Sequence, residues 1–381
     1  MVEDQPGKLR VLIVEDSSLM RRIITTALSK HPRIEVVGYA VDGFGAIEAV
    51  NRLEPDVVTL DIEMPEMDGL TALREIRKSH KRMPIIMFSS LTHQGAQAAV
   101  VALTAGATDY VGKPSASAAS IDSAFKVLEQ DLIPKIIGLG ERALQRQSMD
   151  VSVKPAPATA KPLARVPAPA VPVKSGPERA APSNRFDPVS AVAIGVSTGG
   201  PMALMELFGQ LSQPLSVPVF IVQHMPPTFT TLLAARLTAA GVMDVREPVS
   251  GEEVKAGMAY MAPGGFHMAL SRVGTKLVIT LNTDPPENSC RPAVDVLFRS
   301  AADIYGKALL GVVLTGMGQD GLKGADYIKA RQGQIIAQDE ATSVIWGMPM
   351  AVVKNNLADV VLPLEKIMDE IVFRSRKVKS I

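Results

Sequence analysis

The sequence predicts two α/β domains, each built on a parallel sheet and joined by an extended spacer. Three observations carry this. Short β-branched runs alternate with stretches of helical spacing in both halves of the chain. Residues 151–182, VSVKPAPATAKPLARVPAPAVPVKSGPERAAP, are dominated by proline and alanine and hold no aromatic residue. Such a segment cannot bury enough surface to fold, and its prolines keep it extended. Finally, 381 residues exceed what one ordinary core organises.

In the first half, Leu9–Val14 reads as a strand, and Ser18–Leu28 as a helix with Leu19, Ile23, Ile24 and Ala27 on one face. The pattern repeats: strand Ile34–Ala40, helix Ala46–Arg52, strand Asp56–Leu60, helix Leu70–Lys78. It continues with strand Pro84–Phe88, helix Ala96–Ala105, strand Thr108–Val111 and helix Ile121–Leu132. Five strands alternating with five helices imply a parallel sheet covered on both faces. The expected boundaries are 8–132 for this domain, 133–187 for the linker, whose first part (Ile133–Gln147) can be helical, and 188–375 for the second domain.

The second half opens with strand Ala191–Val196, followed by a helical run Met202–Leu211. Strand Val217–Gln223 and helix Thr230–Ala239 come next. Met268–Leu270 and Lys276–Leu281 then read as a hairpin, an antiparallel piece near the middle. Helix Val294–Tyr305, strand Leu309–Leu314, helix Leu322–Ala330, strand Gln334–Gln338 and helices Pro349–Lys354 and Leu364–Ser375 complete a mainly parallel α/β domain.

Ligands of such sheets gather at the carboxyl ends of the strands. In the first domain, Glu15, Asp16, Asp61, Ser89 and Lys113 all fall there. Three carboxylates on one edge repel each other unless a cation lies among them, and hard oxygen ligands suit Mg²⁺. A lysine and a hydroxyl beside them can hold phosphoryl oxygens.

In the second domain, Ser190–Pro201 reads SAVAIGVSTGGP. Gly195, Ser197 and Gly199 fit the G-x-S-x-G turn that lifts a serine hydroxyl above a sheet, with a helix N-terminus behind it. A phosphate cradle uses a similar turn, although the G-x-G-x-x-G spacing is missing. A serine nucleophile needs a base. His224 ends a strand as Ser197 does, whereas His267 sits in a turn beside the hairpin. For the orienting carboxylate, Asp320 lies in a glycine-rich turn after a buried strand; Asp339 competes, with Asp284 and Asp295 behind. The chain order Ser, His, Asp differs from the Ser, Asp, His order of α/β-hydrolases.

The motifs VLIVEDS, LDIEMPEMDGL and DYVGKP resemble the receiver domain of two-component response regulators, over most of residues 8–132. That resemblance implies a flavodoxin-like fold, phosphorylation of Asp61 by a cognate chemotaxis histidine kinase, and Mg²⁺ held by Glu15, Asp16 and Asp61. It also implies phosphoryl contacts from Ser89 and Lys113, and makes Tyr110 the aromatic that changes rotamer on activation. The longer stretch LTHQGAQ after Ser89 departs from the pattern. From residue 189 to about 372, IGVSTGGP, QHMPPTFT, MAPGGFHM, RPAVDVLF and LTGMGQDG resemble the catalytic domain of chemotaxis protein-glutamate methylesterases. This implies a triad of Ser197, His224 and Asp320, with oxyanion donors at the Thr198–Gly199 turn. The implied reaction is hydrolysis of methyl esters on glutamates of chemoreceptor cytoplasmic helices, together with deamidation of receptor glutamines. No cofactor is implied for the esterase step.

The bulk numbers bound the alternatives. A net charge of +1 gives no electrostatic case for nucleic acid. One cysteine, Cys290, excludes a disulfide framework, and is expected to be a small buried hydrophobe. The first residues lack the apolar core of a signal peptide, and no apolar run is long enough to insert into a membrane, so a cytoplasmic location is expected. The alternative to a hydrolase is a non-enzymatic response regulator whose second domain binds a nucleotide or a protein.

Overall fold

The alternating strand β1 (Leu9–Val14) places Leu9, Val11 and Ile13 in one apolar cluster and Leu12 and Val14 in another, so both faces of its sheet are covered. The computed structural model describes residues 7–90, 92–113, 121–151 and 187–376. The proline-rich spacer, from 152 to 186, lies outside them.

After β1 come α1 (Ser18–Ser29), β2 (Ile34–Ala40), α2 (Gly43–Leu53), β3 (Val57–Asp61), α3 (Gly69–Ser79), β4 (Ile85–Ser89), α4 (His93–Thr104) and β5 (Asp109–Gly112). The five strands form a parallel sheet in the order β2-β1-β3-β4-β5. Several helices start before their apolar periodicity does, because their first turns are fixed by caps. Asp42 accepts from the Gly45 amide, Asp68 from Thr71 and Thr92 from Gly95. The Thr92 cap opens α4 at His93, inside the stretch LTHQGAQ.

The helix α5 (Ile121–Val127) passes through a π-helical turn, Leu128–Leu132, into α6 (Ile133–Val151). Ile136 and Leu139 of α6 are buried against the first domain's core. Residues 133–151, assigned to the linker on sequence, therefore continue as helix, packed through Ile136 and Leu139.

The second domain runs β6 (Ala191–Val196), α7 (Gly200–Gly209), β7 (Val219–Gln223), α8 (Phe229–Ala240), β8 (Asp244–Arg246), β9 (Met258–Met261) and the hairpin β10 (His267–Val273) and β11 (Lys276–Asn282). It continues with α9 (Val294–Tyr305), β12 (Leu309–Val313), α10 (Leu322–Ala330), β13 (Gln334–Gln338), α11 (Met348–Lys354), β14 (Val360–Leu362) and α12 (Leu364–Ser375). Seven parallel strands are ordered β14-β13-β12-β6-β7-β9-β8, and the antiparallel hairpin forms its own two-stranded sheet. The edge strands β8 and β14 have only three residues each, too short for a periodic signal.

Strand β6 lies between β12 and β7. Its alternate residues sort cleanly: Ala191 and Ala193 face the cluster with α9, while Val192, Ile194 and Val196 face the one with α7 and α12. The centre of the sheet thus delivers Ser197 to its carboxyl edge. The first domain rests on this edge, with α4 packed on α7 and α8.

Candidate active site

Ser197 follows β6 directly and is pinned by backbone bonds. Its amide donates to the Thr315 carbonyl at 3.0 Å, and its carbonyl accepts from Gly200 N–H at 2.8 Å and from Gln223 Nε2 at 3.0 Å. The glycines of the turn are required by space. Gly199 has φ +77, and a Cβ there would meet Val344; a Cβ on Gly200 would fall 2.0 Å from Gln223 Oε1. Among the described residues, the Thr198 and Gly199 amides have no hydrogen-bond partner, and they stand at the N-terminus of α7. Two free amides at the positive end of a helix can receive a developing oxyanion.

His224 directly follows β7, beside the elbow, since Val196 pairs with Gln223 in parallel register. Its Nε2 lies 2.8 Å from Asp320 Oδ2. Asp320, after β12, is buried and accepts four further bonds, from the amides of Val294, Asp295 and Gly321 and from Asn288 Nδ2. Burial opposes its charge, but His224 and these donors outweigh it and hold the carboxyl below its usual range. An ionised Asp320 leaves the His224 proton on Nε2 and the lone pair on Nδ1. Burial likewise opposes the imidazolium, yet the bonds to Asp320 and Cys290 lift its pKa to about 9.

The competing residues are occupied elsewhere. His267 is not in a turn but begins β10, buried, with Nε2 donating to the Pro285 carbonyl and Nδ1 accepting from the Ala293 amide. Asp339 accepts from the amide and hydroxyl of Thr342. Asp295 accepts from the Gly324 amide and Asn288, and the Asp284 amide is bonded to Asn282 Oδ1.

Two residues beside the His224–Asp320 pair gave no sequence signal of such a place. Asn288 bridges Asp320 Oδ1 at 2.8 Å and Asp295 Oδ2 at 2.9 Å. Cys290 is half-buried rather than fully enclosed, with Sγ 3.6 Å from His224 Nδ1. The loop carrying both folds back on the strand edge, a long-range fact that local patterns do not contain.

In the first domain, oxygens of Glu15, Asp16 and Asp61 lie within 4.8 Å of one another. Lys113 Nζ is 2.5 Å from Asp61 Oδ2 and 3.2 Å from Glu15 Oε2. Burial, then Asp61, raises Glu15 to about 7, and burial raises Asp61. One lysine does not balance three carboxylates, and an all-oxygen set of this size fits a divalent cation. Receiver domains bind Mg²⁺ at such clusters. Ser89 is buried at the end of β4, but its hydroxyl donates to the Gly95 and Ser90 carbonyls, not toward Asp61. Tyr110 of β5 reaches out of its own domain and stacks on Phe229 of α8. Between the domains lies a cavity of about 1120 Å³, walled by Lys113, Lys135 and Tyr110 on one side and His224, Pro226 and Cys290 on the other.

The family model for the CheB methylesterase matches residues 192–371, and that for the response regulator receiver domain residues 11–124. A protein-glutamate methylesterase/protein-glutamine glutaminase of Trichodesmium erythraeum (strain IMS101) is 45% identical over 96% of this chain and 99% of its own length. One from Nocardioides sp. (strain ATCC BAA-499 / JS614) is 47% identical over 97% and 96%. The crystal structure of the Thermotoga maritima CheB methylesterase catalytic domain shares 43% identity, covering 49% of this chain and 98% of that chain, with a TM-score of 0.48. With 45–47% identity to such relatives over nearly the whole chain, it belongs to the CheB methylesterase family, with a response regulator receiver domain ahead of the catalytic domain.

Proposed function

We propose that this chain is a phosphorylation-regulated protein-glutamate methylesterase. It hydrolyses methyl esters on glutamates of chemoreceptor cytoplasmic helices, releasing methanol, and deamidates receptor glutamines by the same chemistry. The observation that carries the mechanism is the His224–Asp320 pair on the strand edge beside Ser197.

Ser197 Oγ attacks the ester carbonyl while His224 accepts its proton on Nδ1, the nitrogen not engaged by Asp320. Asp320 keeps the ring oriented and stabilises the imidazolium. The amides of Thr198 and Gly199 receive the oxyanion. His224 returns the proton to the leaving methoxide, and water then hydrolyses the acyl-Ser197 by the reverse sequence. For glutamine the leaving group is ammonia.

In the receiver, Glu15, Asp16 and Asp61 would hold Mg²⁺, which when bound neutralises charge between Asp61 and an incoming phosphoryl group. The partner histidine kinase supplies that group; Lys113 contacts it, and Ser89 does so once its hydroxyl leaves the Gly95 and Ser90 carbonyls. The proposed domain limits are 8–132 and 188–375, with α6 packed onto the first domain as the start of the connection. Among the described residues no helix is long and apolar enough to cross a membrane, which accords with a cytoplasmic enzyme. The packing of Tyr110 on Phe229 and of α4 on α7 and α8 supports control by covering: the docked receiver closes the approach to Ser197, and phosphorylation loosens it.

The test is methanol release from methylated chemoreceptor fragments by wild type and Ser197→Ala. Loss of activity in a folded variant supports the reading; substantial release sinks it.

A further inference from the structure

We propose that Cys290 competes with Ser197 for the Nδ1 lone pair of His224, and so restrains the resting rate of the esterase. The proposal rests on the roles of Ser197 and His224 given above.

His224 has two ring nitrogens. Nε2 is taken by Asp320 at 2.8 Å, so any proton from Ser197 must go to Nδ1. Nδ1 is met by Cys290 Sγ at 3.6 Å, within reach of a sulfur hydrogen bond. Among the described residues no hydrogen bond joins Ser197 Oγ to His224. A thiol proton donated to Nδ1 occupies the lone pair, which is then not offered to the serine.

Cys290 is held in this position. Its amide donates to the Glu287 carbonyl at 2.9 Å and its carbonyl accepts from the Glu287 amide at 3.1 Å. Glu287 is gripped by both terminal nitrogens of Arg299, at 2.8 and 2.6 Å. Between them Asn288 bonds Asp320 and Asp295, while Asn288 and Ser289 take left-handed backbone conformations, φ 52 and 63. A non-glycine pair in that region persists only where its surroundings fix it. The loop that steadies the acid through Asn288 therefore also presents the thiol to the base. A thiol is a weak donor, so the restraint is modest and a substrate-bound serine can displace it.

The experiment measures kcat and KM for methanol release by the unphosphorylated full-length chain, Cys290→Ala, Cys290→Ser and Ser197→Ala. Cys290→Ala should raise kcat about three- to tenfold, the worth of one modest hydrogen bond, with KM unchanged because the thiol acts on the base. Cys290→Ser keeps a donor with a shorter reach and should fall between wild type and alanine. A loop that only needed a well-packed side chain would lower kcat, or alter KM, in both variants. If Ser197→Ala is inactive while Cys290→Ala is no faster than wild type, the competition is overturned and the nucleophile stands. If Ser197→Ala stays active, the underlying assignment fails, and the competition with it.

Discussion

The ring of Tyr110 lies stacked on that of Phe229, centroids 4.5 Å apart and planes 16° from parallel. Tyr110 sits on β5, three residues before Lys113, the proposed phosphoryl contact, and Phe229 opens α8, five residues after His224. The stack thus ties the proposed phosphorylation site to the strand edge that carries Ser197 and His224. Lys135 strengthens it from behind, with Nζ 5.2 Å from the Tyr110 ring centroid and bonded to the Tyr110 carbonyl. An aromatic pair contributes about 0.5–1.5 kcal/mol beyond its buried area. Phe229→Ala should therefore shift docking toward release and raise unphosphorylated methanol production about two- to tenfold. Equal rates for variant and wild type would detach the stack from regulation.

His224 makes the enzyme pH-dependent in a defined direction. Its pKa is lifted from 6.5 to about 9, and only the neutral ring, with its Nδ1 lone pair, can accept a proton from the serine or a hydrogen bond from the thiol. The rate kcat/KM should climb about tenfold per pH unit below about 9 and level above it. Stability runs the other way. A histidine whose folded pKa is raised contributes stability that is fully present below its unfolded value of about 6.5 and is lost as pH rises through the folded value. Stopped assays across this range, with melting temperatures alongside, check both slopes; a rate that falls as pH approaches 9 is incompatible with a Nδ1 base.

Both sheets and the ends of their long strands were legible in the sequence because a β-branched run that stops at Asp61, Ser197 or His224 carries its own boundary. The sheet edge then brings Ser197 and His224 together without further information. What escaped is non-local. Nothing around Asn288 or Cys290 shows that a loop after β11 returns to Asp320 and His224. Nor does the sequence show that the helix beyond residue 133 packs on one domain and reaches the other. Ile136 and Leu139 pack on the first domain while Arg142 faces the second, and a helical period cannot say which body each face will meet.

Asp320 and Asp339 can be told apart by neutral substitution. Asp320→Asn removes the charge facing the imidazolium and should lower kcat by about 10⁴-fold, the loss seen for the equivalent change in serine proteases. Asp339→Asn weakens only the Thr342 turn and should cost less than about tenfold, as one lost local hydrogen bond. Steady-state methanol release decides, and a reversal of the two effects names Asp339 as the acid.

Asp61 is the expected phosphoryl acceptor. Asp61→Asn should abolish labelling by a small phosphodonor in Mg²⁺ while leaving unphosphorylated esterase activity close to wild type, since Asp61 lies on the receiver sheet. Incorporation by the variant at the wild-type rate would place the acceptor elsewhere.

The last prediction concerns α6. Arg142 Nη1 reaches Glu340 Oε1 at 2.9 Å, and Arg146 Nη2 donates to the Ser343 carbonyl at 2.7 Å. The segment they grip leads straight to the elbow: the Thr315 hydroxyl bonds the Thr198 carbonyl at 2.9 Å and the Ile345 carbonyl at 3.3 Å, and Ile345 N–H donates back at 3.1 Å. The helix therefore holds both the receiver core, through Ile136 and Leu139, and the backing of the Ser197 turn. Hydrogen bonds from a charged group contribute about 1.5–3 kcal/mol when shielded from water. Arg146 is only partly shielded, so Arg146→Ala should release the docked receiver by roughly 1 kcal/mol, about a fivefold rise in unphosphorylated rate. Phosphorylated wild type and phosphorylated variant should then converge, because both are already undocked. If the variant is instead slower in both states, the arginine supports the elbow itself, and the clamp is not what phosphorylation opens.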